Sequence, residues 1–220
     1  MAEGGGEIST QEMLAWLEAF GAALAENKQY LTQLDSAIGD ADHGINMDRG
    51  FRAVKEKLSA SDTQDIGSVF KTVGTTLVSK VGGAGGPLYG TFFRDLGSTA
   101  TGKEALTPEE WTEALEAGIH GVIRIGKAEP GDKTMVDTLL PALRVLKQSL
   151  GDGVAFGEAL RRAEAAADEG MKATIPMVAR KGRASYLGER SAGHQDPGAT
   201  SSYLLVRAAA DLWADGAGAD

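Results

Sequence analysis

Thr107-Pro108-Glu109-Glu110 opens the stretch that decides the fold class of this 220-residue chain. Threonine followed three residues later by glutamate is a capping box, in which a hydroxyl and a carboxylate each take an orphan amide at a helix start. Proline suits the first helical position, where its missing N–H would have had no partner. Working outward, the same signals recur. Ser9-Thr10-Gln11-Glu12 is a second capping box, followed by Met13, Leu17, Phe20 and Leu24 on one helical face. Met47, Phe51, Val54 and Leu58 mark a helix from about Asn46, and Ile66, Val69, Phe70, Val73 and Leu77 mark another. Gly86-Pro87 opens a fourth, with Leu88, Phe92 and Leu96 as its apolar side. Beyond the Thr107 helix, a sixth spans about Lys133 to Leu150 with Pro141 inside it, and a seventh, about Val154 to Ala179, contains Pro176. Each is expected to kink or break at its proline. Asp196-Pro197 starts the eighth, which ends around Trp213. No stretch of strict alternation reads as a strand. The expectation is an all-α single domain of eight helices over residues 9–213, with a flexible tail at 1–8 and a loose one at 214–220.

Composition narrows the function. The size allows one sizeable core. A content of 42% hydrophobic and 24% charged residues is ordinary for a globular chain, and no run of eighteen apolar residues suggests a membrane span. With 22 Lys+Arg against 31 Asp+Glu the net charge is −9, which argues against an open basic face for nucleic acid or an anionic bilayer. No cysteine is present, so disulfides, zinc–thiolate sites and thiol catalysis are all excluded. Met1 to Gly6 lack the charged start and apolar core of a signal peptide, so the expected location is the cytoplasm. The 30 glycines are the anomaly, roughly twice the usual share, beside 34 alanines that suit close-packed helices.

Apart from tail and isolated helical glycines, most of these glycines lie in four inter-helix loops: 39–44, 82–87, 126–132, and 180–183 with 193–198. In an up-and-down helical protein alternate loops fall at one end. Two of them feed a helix start behind a proline, where free amides and the positive end of the helix dipole suit a phosphate. Glycine lets backbone approach an anion closely. Each loop taken singly also reads as a plain turn.

Asp35, Asp40 and Asp42, at i, i+5 and i+7 with Gly39 and Gly44 bending the chain, can turn several oxygens toward one point, as a hard cation requires. An EF-hand is excluded, because counting from Asp40 puts Ile45 at the obligatory glycine and Phe51 at the bidentate glutamate. Magnesium fits better, since it accepts few carboxylates and completes its shell with water and phosphate oxygens. The competing reading has Asp40 or Asp42 capping the next helix and Asp35 solvated. His43 fits a phosphate or metal-water contact and equally an incidental loop histidine; Asn46 fits an N-cap or a ligand contact. Arg183, in the run Arg180-Lys181-Gly182-Arg183, is a candidate phosphate clamp or part of a solvated face. Asp196 fits helix capping as well as binding.

Residues 34–47, 81–93, 126–135, 180–190 and 193–201 strongly resemble the nucleotide-binding L subunit of dihydroxyacetone kinase, in order and over about Ser9 to Leu212. The resemblance implies an eight-helix antiparallel barrel that holds ADP or ATP through two Mg²⁺ ions in the loops at one end. It matches Asp35, Asp40 and Asp42 to the family's metal-binding aspartates. His43 and Asn46 match the segment leading into the phosphate site, and Ala84 and Gly85 the loop at the phosphates. Gly126 and Met135 match positions around the adenosine. Arg183 matches the arginine near the terminal phosphate, which makes it the catalytic candidate, and Asp196, Pro197 and Gly198 match the last nucleotide loop. Gly85 departs from a frequent serine, so a hydroxyl contact would be lost there.

Phosphoryl transfer needs positioning and charge neutralisation more than covalent chemistry, which agrees with these residues. The resemblance further implies that dihydroxyacetone is held by a separate K subunit, that this chain is inactive alone, and that its bound ADP is rephosphorylated by a phosphotransferase M subunit fed by phosphoenolpyruvate. It leaves a homodimer open. Two alternatives stand beside it: an L-type subunit for another small ketose or sugar alcohol, and a non-catalytic Mg-nucleotide module that regulates a partner.

Overall fold

Both capping boxes form. Thr107 Oγ1 accepts from Glu110 N at 3.2 Å while Thr107 N donates to Glu110 Oε2 at 3.0 Å. Ser9 Oγ accepts from Glu12 N at 3.3 Å, and Ser9 N donates to Glu12 Oε2 at 2.7 Å. The computed structural model describes residues 6–60 and 65–214. Among these, nine α-helices run in order: α1 Thr10–Glu26, α2 Lys28–Ile38, α3 His43–Ser59, α4 Ile66–Lys80, α5 Gly85–Thr99, α6 Pro108–Gly126, α7 Val136–Gly151, α8 Phe156–Ala173 and α9 Pro197–Trp213. A 3₁₀ segment, Arg183–Ser191, lies between α8 and α9.

Successive helices from α2 to α9 pack side by side, and α9 closes the ring against α1 and α2. There the Trp16 indole donates to Leu205 O at 3.1 Å. The architecture is the expected all-α barrel, with differences of detail. α2 was not anticipated: Asn27, at φ −92° and ψ 9°, divides the first rod in two, while Leu31 N still reaches Asn27 O at 2.9 Å. α7 begins at Val136, not Lys133, and runs through Pro141 without interruption. α8 stops at Ala173, so Pro176 lies beyond it rather than inside it. A two-residue antiparallel pairing sets Ile8 opposite Leu106. Ile8 is buried and thus belongs to the fold, whereas residues 1–5 and 215–220 of the two expected tails lie outside the described residues.

The core polarises the barrel. At the end where α1, α4 and α6 begin, Trp16 meets Trp111 edge-on at 4.9 Å and Trp111 meets Trp213 at 5.3 Å, with Phe70 and Phe93 alongside. Such aromatic pairs contribute about 0.5–1.5 kcal/mol each beyond their buried area. The opposite end gathers the α2–α3, α4–α5, α6–α7 and α8–α9 loops and the N-termini of α3, α5, α7 and α9.

Many helical glycines serve packing. In α4 and α5 they recur every seven residues and face each other in antiparallel register: a β-carbon on Gly74 would lie 2.5 Å from Gly90 O, and one on Gly67 2.9 Å from Gly97 O. Gly170 of α8 plays the same part against α7. A β-carbon there would overlap Asp137 O, the carbonyl that Pro141 cannot bond. α8 thus packs closely over the carbonyl that the proline leaves without its helical partner.

Candidate functional site

The loop end encloses a cavity of about 800 Å³, and every candidate site residue lines it: Asp35, Asp40, Asp42, His43, Asn46, Ala84, Gly85, Gly126, Met135, Arg183, Asp196, Pro197 and Gly198. Each of the four glycine-rich loops contributes.

The α2–α3 loop brings ligand oxygens of Asp35, Asp40 and Asp42 within 4.8 Å of one another. The competing capping reading fails on both counts. Asp42 occupies the N-cap of α3 without a side-chain cap bond. Buried Asp35 does the capping instead, its Oδ2 accepting from Asp42 N at 2.8 Å and His43 N at 3.1 Å. Gly39 is required here, because a β-carbon would overlap Asp35 Oδ1. Ala41 holds the turn at φ +61°, a left-handed conformation that a non-glycine residue keeps only where its surroundings enforce it.

His43 is not an incidental loop histidine. Its Nε2 is hydrogen-bonded to Ser201 Oγ at 2.9 Å, Ser201 Oγ to Tyr89 OH at 2.8 Å, and Tyr89 OH to Ser202 Oγ at 3.2 Å. This chain ties α3 to α5 and α9. Burial holds His43 below its ordinary value against the pull of Asp35 and Asp42, and burial pushes the Tyr89 phenol up to about 12. Asn46 lies one turn into α3, so it is no N-cap. Its Oδ1 accepts from Arg49 Nη2 at 2.6 Å, and Arg49 Nε is anchored on Lys80 O at 3.0 Å. The Asn46 amide packs against Gly82, whose absent side chain leaves it room.

The α4–α5 loop enters α5 through Gly83 at φ +62° and Ala84 at the N-cap, and no side chain caps the first-turn amides. An uncapped helix start such as that of α5 holds free amides for an anion. The start of α7 differs: Val136 N donates to Thr134 Oγ1 at 3.2 Å and Asp137 N to Thr134 O at 3.1 Å, so its first amides already have partners. Asp137 pins the turn before α7, its carboxylate accepting from Gly131 N at 2.5 Å and Thr134 N at 2.7 Å. Across the mouth, Arg183 Nη2 lies 3.0 Å from Asp40 Oδ2, both side chains partly exposed. Asp196 both caps α9, accepting from Ala199 N at 2.7 Å, and faces the cavity. Burial pushes its carboxyl up to about 7, against the nearby Lys133 ammonium.

Two groups at the site escaped sequence reasoning. Arg49 orients Asn46 from an exposed position that looked like an ordinary helix charge. Lys133 is buried to 1% exposure, although a lysine in a polar loop reads as solvated.

Leu88, Val122, Ile125 and Met135 give the cavity an apolar side between α5, α6 and α7. The three carboxylates lie on the α2–α3 side. Such a space takes a ligand with a flat apolar body and an anionic end, and the clustered carboxylates supply the hard oxygen donors that magnesium prefers. Among the described residues only Asp40 of the three has an ion-pair partner, so most of the cluster's charge is left for a cation to balance.

An all-α barrel with carboxylates beside an uncapped, glycine-lined helix start defines a domain suited to hold an anionic ligand through a divalent cation. The chain belongs to the DAK2 domain family, whose model matches residues 37–211. It is 48% identical over 200 residues to the ADP-binding subunit DhaL of the PEP-dependent dihydroxyacetone kinase of Escherichia coli K12, covering 91% of this chain and 95% of that one. The native crystal structure of the dihydroxyacetone kinase of C. freundii superposes with a TM-score of 0.71 at 25% identity, covering 96% of this chain and 36% of that one. The same enzyme in complex with AMP-PNP and Mg²⁺ superposes with a TM-score of 0.69 at 24% identity, a likeness of fold. Among the described residues no helix is long and apolar enough to cross a membrane.

Proposed function

We propose that this chain is the ADP-binding subunit of a phosphoenolpyruvate-dependent dihydroxyacetone kinase. It holds Mg-nucleotide in the loop-end cavity and passes a phosphoryl group to dihydroxyacetone on a separate K subunit, after which an M subunit recharges the bound ADP. The observation that carries the reading is the meeting of three carboxylates with Arg183 at the mouth of one cavity, Arg183 standing 3.0 Å from Asp40. A simple binding module has less use for an arginine beside the transferable phosphate. Identity of 48% along 95% of a curated ADP-binding subunit supports the same reading.

Asp35, Asp40 and Asp42 are the residues to hold magnesium, two ions in our reading, and magnesium when bound neutralises phosphate charge that the apo cavity repels. The remaining chemistry belongs to the chain. Free amides at the start of α5 and the Asn46 side-chain amide donate to phosphate oxygens. The apolar surface around Gly126 and Met135 receives the base. Gly85 serves through its backbone, and Pro197 and Gly198 let the start of α9 approach the ligand. Arg183, on an exposed loop, is free to leave Asp40 for the charge that develops on the transferred group, the preorganised role that phosphoryl transfer rewards.

Denaturing purified protein and running the supernatant on an anion-exchange column tests this. ADP is expected, with magnesium found by metal analysis. Asp40→Asn is expected to lose nucleotide with helix content unchanged by circular dichroism. Metal-replete protein free of nucleotide, and unable to bind added ADP, would defeat the proposal.

A further inference from the structure

Lys133 is the only buried lysine or arginine among the described residues, and nothing proposed so far uses it. It makes no ion pair. Its ammonium instead donates to five backbone carbonyls: Thr174 O at 2.8 Å, Ile175 O at 3.4 Å, Met177 O at 3.1 Å, Ser191 O at 2.8 Å and His194 O at 2.5 Å. The first three lie where the chain leaves α8, and the last two where it returns to α9. Between these limbs hangs the loop that bears Arg183.

The rest of the loop is assembled around this point. Gly193 N bonds Ile175 O at 2.7 Å, closing the limbs on each other, and Ala179 N donates to Ser191 Oγ at 2.8 Å. Arg180 N bonds Asp132 O at 3.1 Å, tying the outgoing limb to the residue before the lysine. Asp196 N donates to Thr174 Oγ1 at 3.1 Å, so the residue that caps α9 is hung from the same place. The lysine itself is held at φ +64° between two braced neighbours: Asp132 Oδ2 accepts from Glu129 N at 2.9 Å, and Asp137 Oδ2 accepts from Thr134 N at 2.7 Å. A left-handed lysine is unfavourable in itself and persists where the surroundings over-determine it. An ammonium is a compact point charge with three donors, and carbonyl oxygens gathered at one point repel each other unless a cation sits among them.

We propose that Lys133 is a positioning residue for the nucleotide site: its ammonium clasps both limbs of the 174–196 loop and thereby sets Arg183 opposite the three aspartates. The carbonyl cage is a cation site that the chain fills with its own side chain. The proposal rests on the nucleotide reading for its functional consequence and stands independently of it for the clasp.

Three measurements test it on the full-length protein. Limited trypsinolysis reads the loop directly, because Arg180, Lys181, Arg183 and Arg190 are its cleavage sites: Lys133→Met is expected to be cut there about tenfold faster, given what charged hydrogen bonds contribute. Affinity for ADP with magnesium, by calorimetry, is expected to fall about tenfold in Lys133→Met but less than twofold when the same change is made in Arg183→Ala, since positions acting through one another are not additive. In Lys133→Ala, ethylammonium is expected to restore resistance to trypsin, whereas equal sodium chloride is not.

Wild-type cleavage and affinity in Lys133→Met overturn the proposal, as does an equal affinity loss with and without Arg183. If Lys133→Met does not fold, Lys133→Gln is read in its place, and wild-type cleavage there overturns the clasp equally. A wild-type protein that binds no ADP would defeat the nucleotide reading while the cleavage rates still judge the clasp.

Discussion

Asp42→Asn should stabilise the protein without its cation and weaken it with one. Asp42 is the cleanest of the three aspartates to change, because its side chain makes no capping bond, whereas Asp35 caps α3 and Asp40 pairs with Arg183. With donor atoms up to 4.8 Å apart, two carboxylates repel by about 0.9 kcal/mol in a water-like dielectric, and physiological salt cuts this to about half. Asp42 has two such neighbours, so the neutral amide relieves about 1 kcal/mol. In a protein of this size that raises Tm by about 2–4 °C. Ligand binding works against it: Mg-ADP at a hundredfold excess over Kd stabilises the wild type by about 2.7 kcal/mol, and the variant forfeits most of that. Thermal unfolding in EDTA and then in magnesium with ADP should therefore show the two melting curves exchange order. A variant that melts below wild type in EDTA would show that the carboxylates are mutually supported rather than repelling. An equal rise for both proteins on adding Mg-ADP would remove Asp42 from the cation site.

Asp196 and Gly170 make two more cases. Burial pushes the Asp196 carboxyl up to about 7 from 3.8, so between those values the native chain holds a proton that the unfolded chain has released, and stability falls as pH rises. Asp196→Asn keeps an acceptor for Ala199 N and escapes that loss, so its Tm relative to wild type should climb from pH 4 to 7 and then level; a gap flat in pH refutes the assignment. Gly170→Ala should cost about 1–3 kcal/mol by forcing α8 from the Asp137 carbonyl, outweighing its gain in helix propensity. Gly151→Ala, at a helix end with open space around it, should gain about 0.5–1 kcal/mol, and urea midpoints that move in the same direction would refute the packing argument.

What the sequence revealed and what it hid divide along physical lines. Caps are local, so Ser9, Thr107 and Asp196 announced their helices from a few residues each. The clustering of the three aspartates was readable because all three come from one short stretch bent by glycine. α2 was missed for a reason bound up with that site: its buried stripe is Leu31, Asp35 and Ile38, and the charged middle position breaks the apolar pattern that would have marked a helix. The glycine pairs of α4 and α5 were legible as a seven-residue spacing, Gly67 with Gly74 and Gly90 with Gly97, but read singly they looked like isolated helical glycines. Lys133 left no local signal. Its burial depends on carbonyls 41 to 61 residues away, which only the closed barrel brings together.

The same closure explains how a chain of net charge −9 can suit an anion. Four helices begin at the cavity end, and each start carries roughly half a positive charge. Asp35 takes up two amides at α3, Thr134 one at α7 and Asp196 one at α9, which leaves α5 with no side-chain cap. Against that start and Arg183 stand three carboxylates, so without a cation the cavity does not attract a phosphate. A cation bound to the aspartates reverses the sign of the field that the phosphate meets, and the phosphate in turn supplies oxygens that the aspartates cannot. By linkage each must then strengthen the other's binding by the same factor. On the proposed reading neither ion belongs to the site alone, and the acidity that argued against anionic partners would make this one depend on a metal.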